Sequence, residues 1–406
     1  MTIMTRLAIA ASAAALIGSP ALAQQAGQPT AINGQVQLGD VFSSMTVVAP
    51  NNARSAVSSS IAAGNSVSGA NLTGGLRARS TQEMSGAGFS WAEVQAGNAR
   101  EITAVSTAQG NTGEVQVEGG DLDLVASQTS GPKDMYSGAR VNAGNAQTLT
   151  AVSSAAQNNA ATGATNGDLN VDLTQRASGS SYAITDVDAR RTGTTLAGAT
   201  ATGNTYGSTS ETSTVNARYN QTSTGAQILA STDVYQNRGH DVVASSTAAG
   251  NSASVDNKWG YAEIRGRQAN DSAVNSETRV QLATWSGTAS LSSHGVGNTS
   301  LVTNVGSDLA DDVSQTNNGY VGSDAVFTGS TSDGGAVVLN STAIGNAFTG
   351  YVCSQCGDAA VSGAVRQVNA GNVSSTGSIT ANGNSQIAGS ATAIGNSASF
   401  ITTTRP

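Results

Sequence analysis

Residues 76–82 read Leu-Arg-Ala-Arg-Ser-Thr-Gln, and the same alternation of apolar and polar positions returns further along the chain. Six residues before a Gln stand Leu76, Leu122, Leu169, Val215, Ala262 and Leu309, and four before it stand Ala78, Leu124, Val171, Ala217 and Ile264. Between them lie polar residues: Arg77, Arg79, Asp123, Asn170, Asp172, Asn216, Arg218, Glu263 and Arg265. Alternation over six or seven positions predicts a strand with one face buried. The closing Gln keeps time through the chain at Gln35, Gln82, Gln128, Gln175, Gln221, Gln268, Gln315 and Gln367. Strands of constant register can stack in parallel, about 4.8 Å apart, so that equivalent side chains form columns.

Two further series share this period. A run of small residues closes on Gly-Asn at Asn65, Asn111, Asn204, Asn251, Asn298, Asn346 and Asn396, and on Asn158 with Gln157 in place of the glycine. Three residues earlier stands Ala62, Ala108, Ala155, Ala201, Ala248, Ala343 or Ala393, a column small enough for two layers to approach closely. The Gly-Asn pair suits a corner with positive backbone torsions. Asn52, Asn98, Asn145 and Asn384 mark the third series, and the landmarks of one copy fall about 17, 13 and 17 residues apart. Disorder has no such period. The pattern predicts an all-β protein, a parallel β-solenoid (β-helix) of eight repeats of ~47 residues covering 24–400, with no separate globular domain and a tail at 401–406. The Gln and Asn amides are expected to hydrogen-bond up and down the stack. Phe42, Phe89, Met135, Tyr182 and Ile228, each seven residues after its Gln, are expected to form one bulky column. Spacing leaves open whether a copy is one large coil or two smaller ones.

Composition agrees with a solenoid. Apolar residues are 38% of the chain, aromatics 4% and charged residues 11%, too little bulky apolar matter for a large three-dimensional core. Residues 1–23 read as a secretory signal peptide: Arg6 precedes the apolar stretch Leu7–Ile17, and Ala21-Leu22-Ala23 offers a cleavage site. The formal charge of −8 argues against nucleic acid as a partner.

Candidate chemistry is sparse, and no motif implies a cofactor or a metal. Cys353 and Cys356 form the one CxxC, which in an exported chain is expected to be a local disulfide bracing an insertion loop. Only His240 and His294 could assist a metal, and they lie far from the cysteines in the repeat order. Carbohydrate-cleaving β-helices gather carboxylates and a basic residue on an outer face, and stacking would align Arg79, Asp172, Arg218, Arg265 and Asp312, with Asp121 and Asp168 in another column. Mixed charges along such a face more often fix register than cleave a bond. Trp91, Trp259 and Trp285 stand at different repeat offsets and are expected to form no shared platform.

The Ser/Thr/Gly/Asn-rich repeats, the recurring phrase typified by Ser341 to Asn346, and the absence of another domain resemble the holdfast anchor protein D family of stalked and budding bacteria. That resemblance implies an exported, non-enzymatic cell-surface protein, associated with the outer membrane at one pole, that anchors the adhesive holdfast polysaccharide. It also implies two protein partners: a curlin-like anchor subunit, and an outer-membrane secretion lipoprotein like the curli export pore. Two other readings stand beside it. One is a homo-oligomer, a self-polymerising curlin-like amyloid adhesin; the other is a polysaccharide lyase or hydrolase.

Overall fold

The structure, a computed structural model, describes residues 29–49, 53–332, 335–353, 359–383 and 386–403. The signal peptide assigned to 1–23 lies outside them. The described residues form β-strands and turns, with no helix among them. All strand pairing is parallel, and partners lie one copy apart: Gln82 faces Gln35, Gln128 faces Gln82, Gln221 faces Gln175 and Gln367 faces Gln315. One sheet takes a strand from each of the eight copies, from Thr30–Gln37 through Leu76–Met84 to Val361–Asn369. A second sheet supplies the remaining sides, as in the strand Gly88–Glu118. Each copy is therefore one coil of a parallel β-solenoid. Eight coils at ~4.8 Å make a stack roughly 40 Å long. The last strand, Gln386–Thr403, continues beyond residue 400.

Corners are visible as breaks in the alternation. Within Gly88–Glu118 the buried positions are even-numbered from Gly88 to Ala96, odd at Ala99, even again from Ile102 to Gly110, and odd from Asn111 onward. Gly-Asn thus sits at a corner, but not for the expected reason. None of the glycines that precede Asn65, Asn111, Asn204, Asn251, Asn298, Asn346 and Asn396 has a positive φ. They are bare because neighbouring coils touch there: a Cβ on Gly110 would lie 2.4 Å from the Gln157 carbonyl oxygen, and one on Gly250 would lie 2.4 Å from that of Gly297. Five left-handed residues mark a different corner, at Gly119, Asn166, Thr212, Trp259 and Gly306, with φ of 70°, 57°, 55°, 63° and 85°, and Gly287 and Gly383 have positive φ elsewhere. Their N–H groups bond the next coil, Thr212 to the Lys258 carbonyl at 2.7 Å and Trp259 to that of Val305 at 2.8 Å. Thr and Trp give no sequence signal for this conformation.

The interior is divided. One apolar cluster, with Val94, Val141, Val187, Leu282 and Trp285, fills the space between two sides of each coil. A second, with Leu122, Leu169, Val215, Ile264 and Tyr219, lies between the Gln-bearing strands and the chain after the Gly-Asn corner. A smaller third contains Met84, Met135, Ile228 and Val274. The bulky column expected at a fixed offset from each Gln is two columns. Met135 and Ile228 are interior, aligned with Gly88, Ser181 and Val274. Phe42, Phe89 and Tyr182 face outward and align with Tyr136 and Leu229. The corner after Gln128 and after Gln221 has one residue more, which shifts a fixed count to the neighbouring position.

A left-handed β-branched residue is strained by about 1–2 kcal/mol, whereas Asn166 holds the same corner position. Thr212→Asn is therefore expected to raise the unfolding free energy by about 1 kcal/mol. Denaturant unfolding checks this, and an unchanged or lowered stability would contradict the strain.

Candidate functional site

Two amide columns run the length of the solenoid. Each Gln donates one N–H to the Gln of the preceding coil: Gln82 to Gln35 at 3.0 Å, Gln128 to Gln82 at 2.8 Å, Gln175 to Gln128 at 2.7 Å, and Gln221 to Gln175 at 2.8 Å. Gln268, Gln315 and Gln367 continue the series. The second N–H donates to a backbone carbonyl of the same coil, such as Thr112 or Ser252. The Asn column points the other way. Asn65 donates to Asn111, and the chain continues through Asn158, Asn204, Asn251, Asn298 and Asn346 to Asn396, each bond 2.8 Å. The carbonyl bonds fix which end of each amide is the donor, so both ladders have a defined polarity.

Beside the ladders, serines from facing sides meet across the interior. Ser90 Oγ donates to Ser60 at 2.9 Å and Ser106 Oγ to Ser90 at 2.8 Å; Ser276 donates to Ser246 and Ser293 to Ser276, each at 2.9 Å. The small-residue phrase marked one wall of this contact. The second wall, Ser43, Ser90, Ser276 and Ser323, has no repeated phrase to betray it.

The candidate catalytic charges are aligned but dispersed. Arg79, Asp172, Arg218, Arg265 and Asp312 occupy one register, with Val125 between Arg79 and Asp172. Asp172 and Arg218 are exposed on a sheet face. Asp121 accepts the Asp168 N–H at 2.9 Å and Asp168 that of Thr214 at 3.3 Å, so these carboxylates tie coil to coil. Arg77–Asp123 and Arg140–Asp186 are solvent-exposed pairs at 3.4 and 3.3 Å, of the kind that contributes little stability. Cys353 ends the strand Ala336–Cys353, while Cys356 lies outside the described residues. His240 Nδ1 is 2.8 Å from Asp241, and burial lowers the pKa of His294. Among the described residues no three His, Cys, Asp or Glu side chains gather as a metal site.

The outer face carries a feature that sequence spacing hid. Phe42, Phe89, Tyr136 and Tyr182 stand on four successive coils, with ring centroids 6.2, 5.2 and 6.5 Å apart. Phe89 and Tyr136 are nearly parallel, at 9°. Trp91 joins them, 6.4 Å from Tyr136 and inclined by 16°. Its indole crosses Gly138, where a Cβ would lie 2.3 Å from the ring. The tryptophans therefore have separate fates: Trp91 belongs to an aromatic platform, Trp285 is buried edge-on to Phe327, and Trp259 is half exposed at the left-handed corner. The platform extends roughly 15 Å along the axis. Polar groups border it: Trp91 Nε1 donates to Glu93 at 3.4 Å, and Gln95 donates to Glu93 at 2.9 Å. Partial burial raises the Tyr136 pKa, keeping its phenol a donor. An aromatic stripe with hydrogen-bonding edges can hold a ligand having an apolar face and a polar rim.

The family profile described as holdfast attachment protein D matches residues 50–320. The chain belongs to that family. The matched span contains Trp91, Tyr136 and Tyr182, together with both amide ladders from Gln82 and Asn65 to Gln315 and Asn298. No curated protein and no solved structure matches the chain. Family membership gives this solenoid a role in holdfast attachment.

Among the described residues of this holdfast attachment protein, Asp311 is a buried carboxylate left without a partner. Asp311 continues the interior column of Leu124, Val171, Ala217 and Ile264, is 4% exposed, and has no hydrogen bond to either carboxylate oxygen. Desolvation pushes its pKa from 3.8 up to about 7. The unfolded chain gives up this proton near 3.8, whereas the folded chain holds it to about 7. Stability present below the lower value is therefore lost progressively as pH rises to the upper one. Thermal unfolding should show the wild-type melting temperature falling between about pH 4 and about pH 7, with a smaller fall for Asp311→Asn. Equal slopes would show that Asp311 is not the titrating group.

Proposed function

We propose that this protein is a non-enzymatic cell-surface anchor whose aromatic stripe contacts the adhesive holdfast polysaccharide. The stripe carries the reading. Pyranose rings have an apolar C–H face and a hydroxyl rim, which complement stacked rings flanked by Glu93 and Gln95. Each contact is weak, but a polymer touching several coils, or several anchors, binds by summed contacts. A stack of parallel strands also suits a protein that transmits load, because every coil is held to the next by main-chain bonds and by two amide ladders.

Family resemblance supplies the rest of the proposal. The chain is exported by way of the segment 1–23, stays at the surface in association with the outer membrane at one pole, and works with a curlin-like anchor subunit and a curli-pore-like secretion lipoprotein. The first coil offers an apolar rim to such a partner: Ile32, Val36 and Val48 are exposed where the next coil carries Arg79, Glu83 and Gln95.

Trp91→Ala and Tyr136→Ala are each expected to weaken binding of purified holdfast polysaccharide several-fold, in line with about 0.5–1.5 kcal/mol per aromatic contact. Cells carrying both substitutions should shed holdfast into the medium while still making it. Unchanged affinity in variants with wild-type circular dichroism would move the sugar contact elsewhere.

A further inference from the structure

The two ends of the solenoid match each other. Gln35 donates one amide N–H to the Ser66 carbonyl at 2.8 Å, and among the described residues has no Gln of a preceding coil to take the other. At the opposite end, Gln367 donates to Gln315 and to the Ser397 carbonyl, and its Oε1 accepts nothing among the described residues. The Asn ladder ends with the opposite polarity. Asn65 donates to Asn111 and to the Glu83 carbonyl, leaving its Oδ1 as an open acceptor. Asn396 accepts from Asn346, and its Nδ2 has no acceptor among the described residues. Each end thus presents one donor and one acceptor, at the same two positions of the coil but with roles exchanged.

The apolar columns also end in corresponding residues. Val41 and Val373 terminate the column of Met135, Ile228 and Val274, and both pack half-buried against the same cluster. Val47 and Ile379, and Ala49 and Ala381, end two columns of another cluster in the same way. Placing Gln367 over Gln35 brings Val373 over Val41, Ile379 over Val47 and Ala381 over Ala49 with no change of register. Nor do the described end strands carry the usual protection. Strand edges are commonly blunted by charge or proline, yet the strands forming both ends contain only Arg54 and Arg366 as charged residues, and no proline.

We propose that a second copy of this chain stacks head to tail on the solenoid, the Gln367 end of one against the Gln35 end of the next. Both ladders and the parallel sheets then run unbroken from copy to copy. In the joint, Gln35 of the second copy donates to Gln367, and Asn396 donates to Asn65 of the second copy. A head-to-head contact would set like amide groups against each other and reverse the strands, so a twofold dimer is disfavoured. Head-to-tail contact does not close, and growth is a linear filament of folded solenoids.

Sedimentation equilibrium of the full mature chain tests this, with Val47→Lys to block one end and Ile379→Lys to block the other. Wild-type protein should associate with rising concentration, into filaments one solenoid wide in electron micrographs. Each variant alone should be monomeric, and a mixture of the two should form a one-to-one dimer and nothing larger. Ala49→Lys and Ala381→Lys repeat the design at a smaller neighbouring position, with circular dichroism melts confirming that each variant folds. A monomeric wild type, whether through a covered edge or an inert one, overturns the proposal. So does association indifferent to both blocks, or a dimer of one variant with itself.

Discussion

Register is the constraint on which this structure rests, and two side-chain amides per coil set it. A parallel sheet of small residues has little to stop one coil from slipping along another, since Ala, Ser, Thr and Gly look alike at every other position. A slip of one residue would turn each interior side chain outward. A buried Gln or Asn makes such a slip costly, because a displaced amide loses its ladder partner and its backbone carbonyl together. Seven inter-coil bonds in each column hold eight coils in register.

The rest of the composition follows from that arrangement. Polar columns and the serine contact divide the interior into narrow apolar strips, so large side chains are needed only at a few places, such as Trp285, Phe327 and Tyr219. With the fold maintained inside, the outer positions are free to vary between coils. They carry scattered ion pairs in one place and a continuous aromatic stripe in another. For a member of the holdfast attachment protein D family, this separates holding the stack together from the ligand contact proposed for the outer face.

Much of the architecture was legible in the repeats. Gln128 or Asn251 could be identified as ladder positions because each copy repeats them at nearly constant spacing, and alternation around Leu122 and Leu169 revealed the buried face. Features that cross a corner were not legible. A count of seven from Gln128 lands on Met135, inside, although the aromatic column continues at Tyr136, because that corner is one residue longer. Gly110 looked like a torsional requirement and proved to be a steric one. The left-handed conformation moved to Thr212 and Trp259, where tertiary bonding overrides residue preference. The facing serines and the buried Asp311 had no signal either, since each depends on what lies across the coil and not along it.

The central claim is that one copy makes one coil, with amides matched between neighbours. Nuclear magnetic resonance of the mature chain, labelled at glutamine side chains, tests it most directly. An unbroken series of contacts should link Gln35 to Gln82, Gln82 to Gln128, and so on to Gln367, with all but the end amides exchanging slowly with solvent. Rapidly exchanging interior amides without mutual contacts, or contacts that skip a copy, would contradict it.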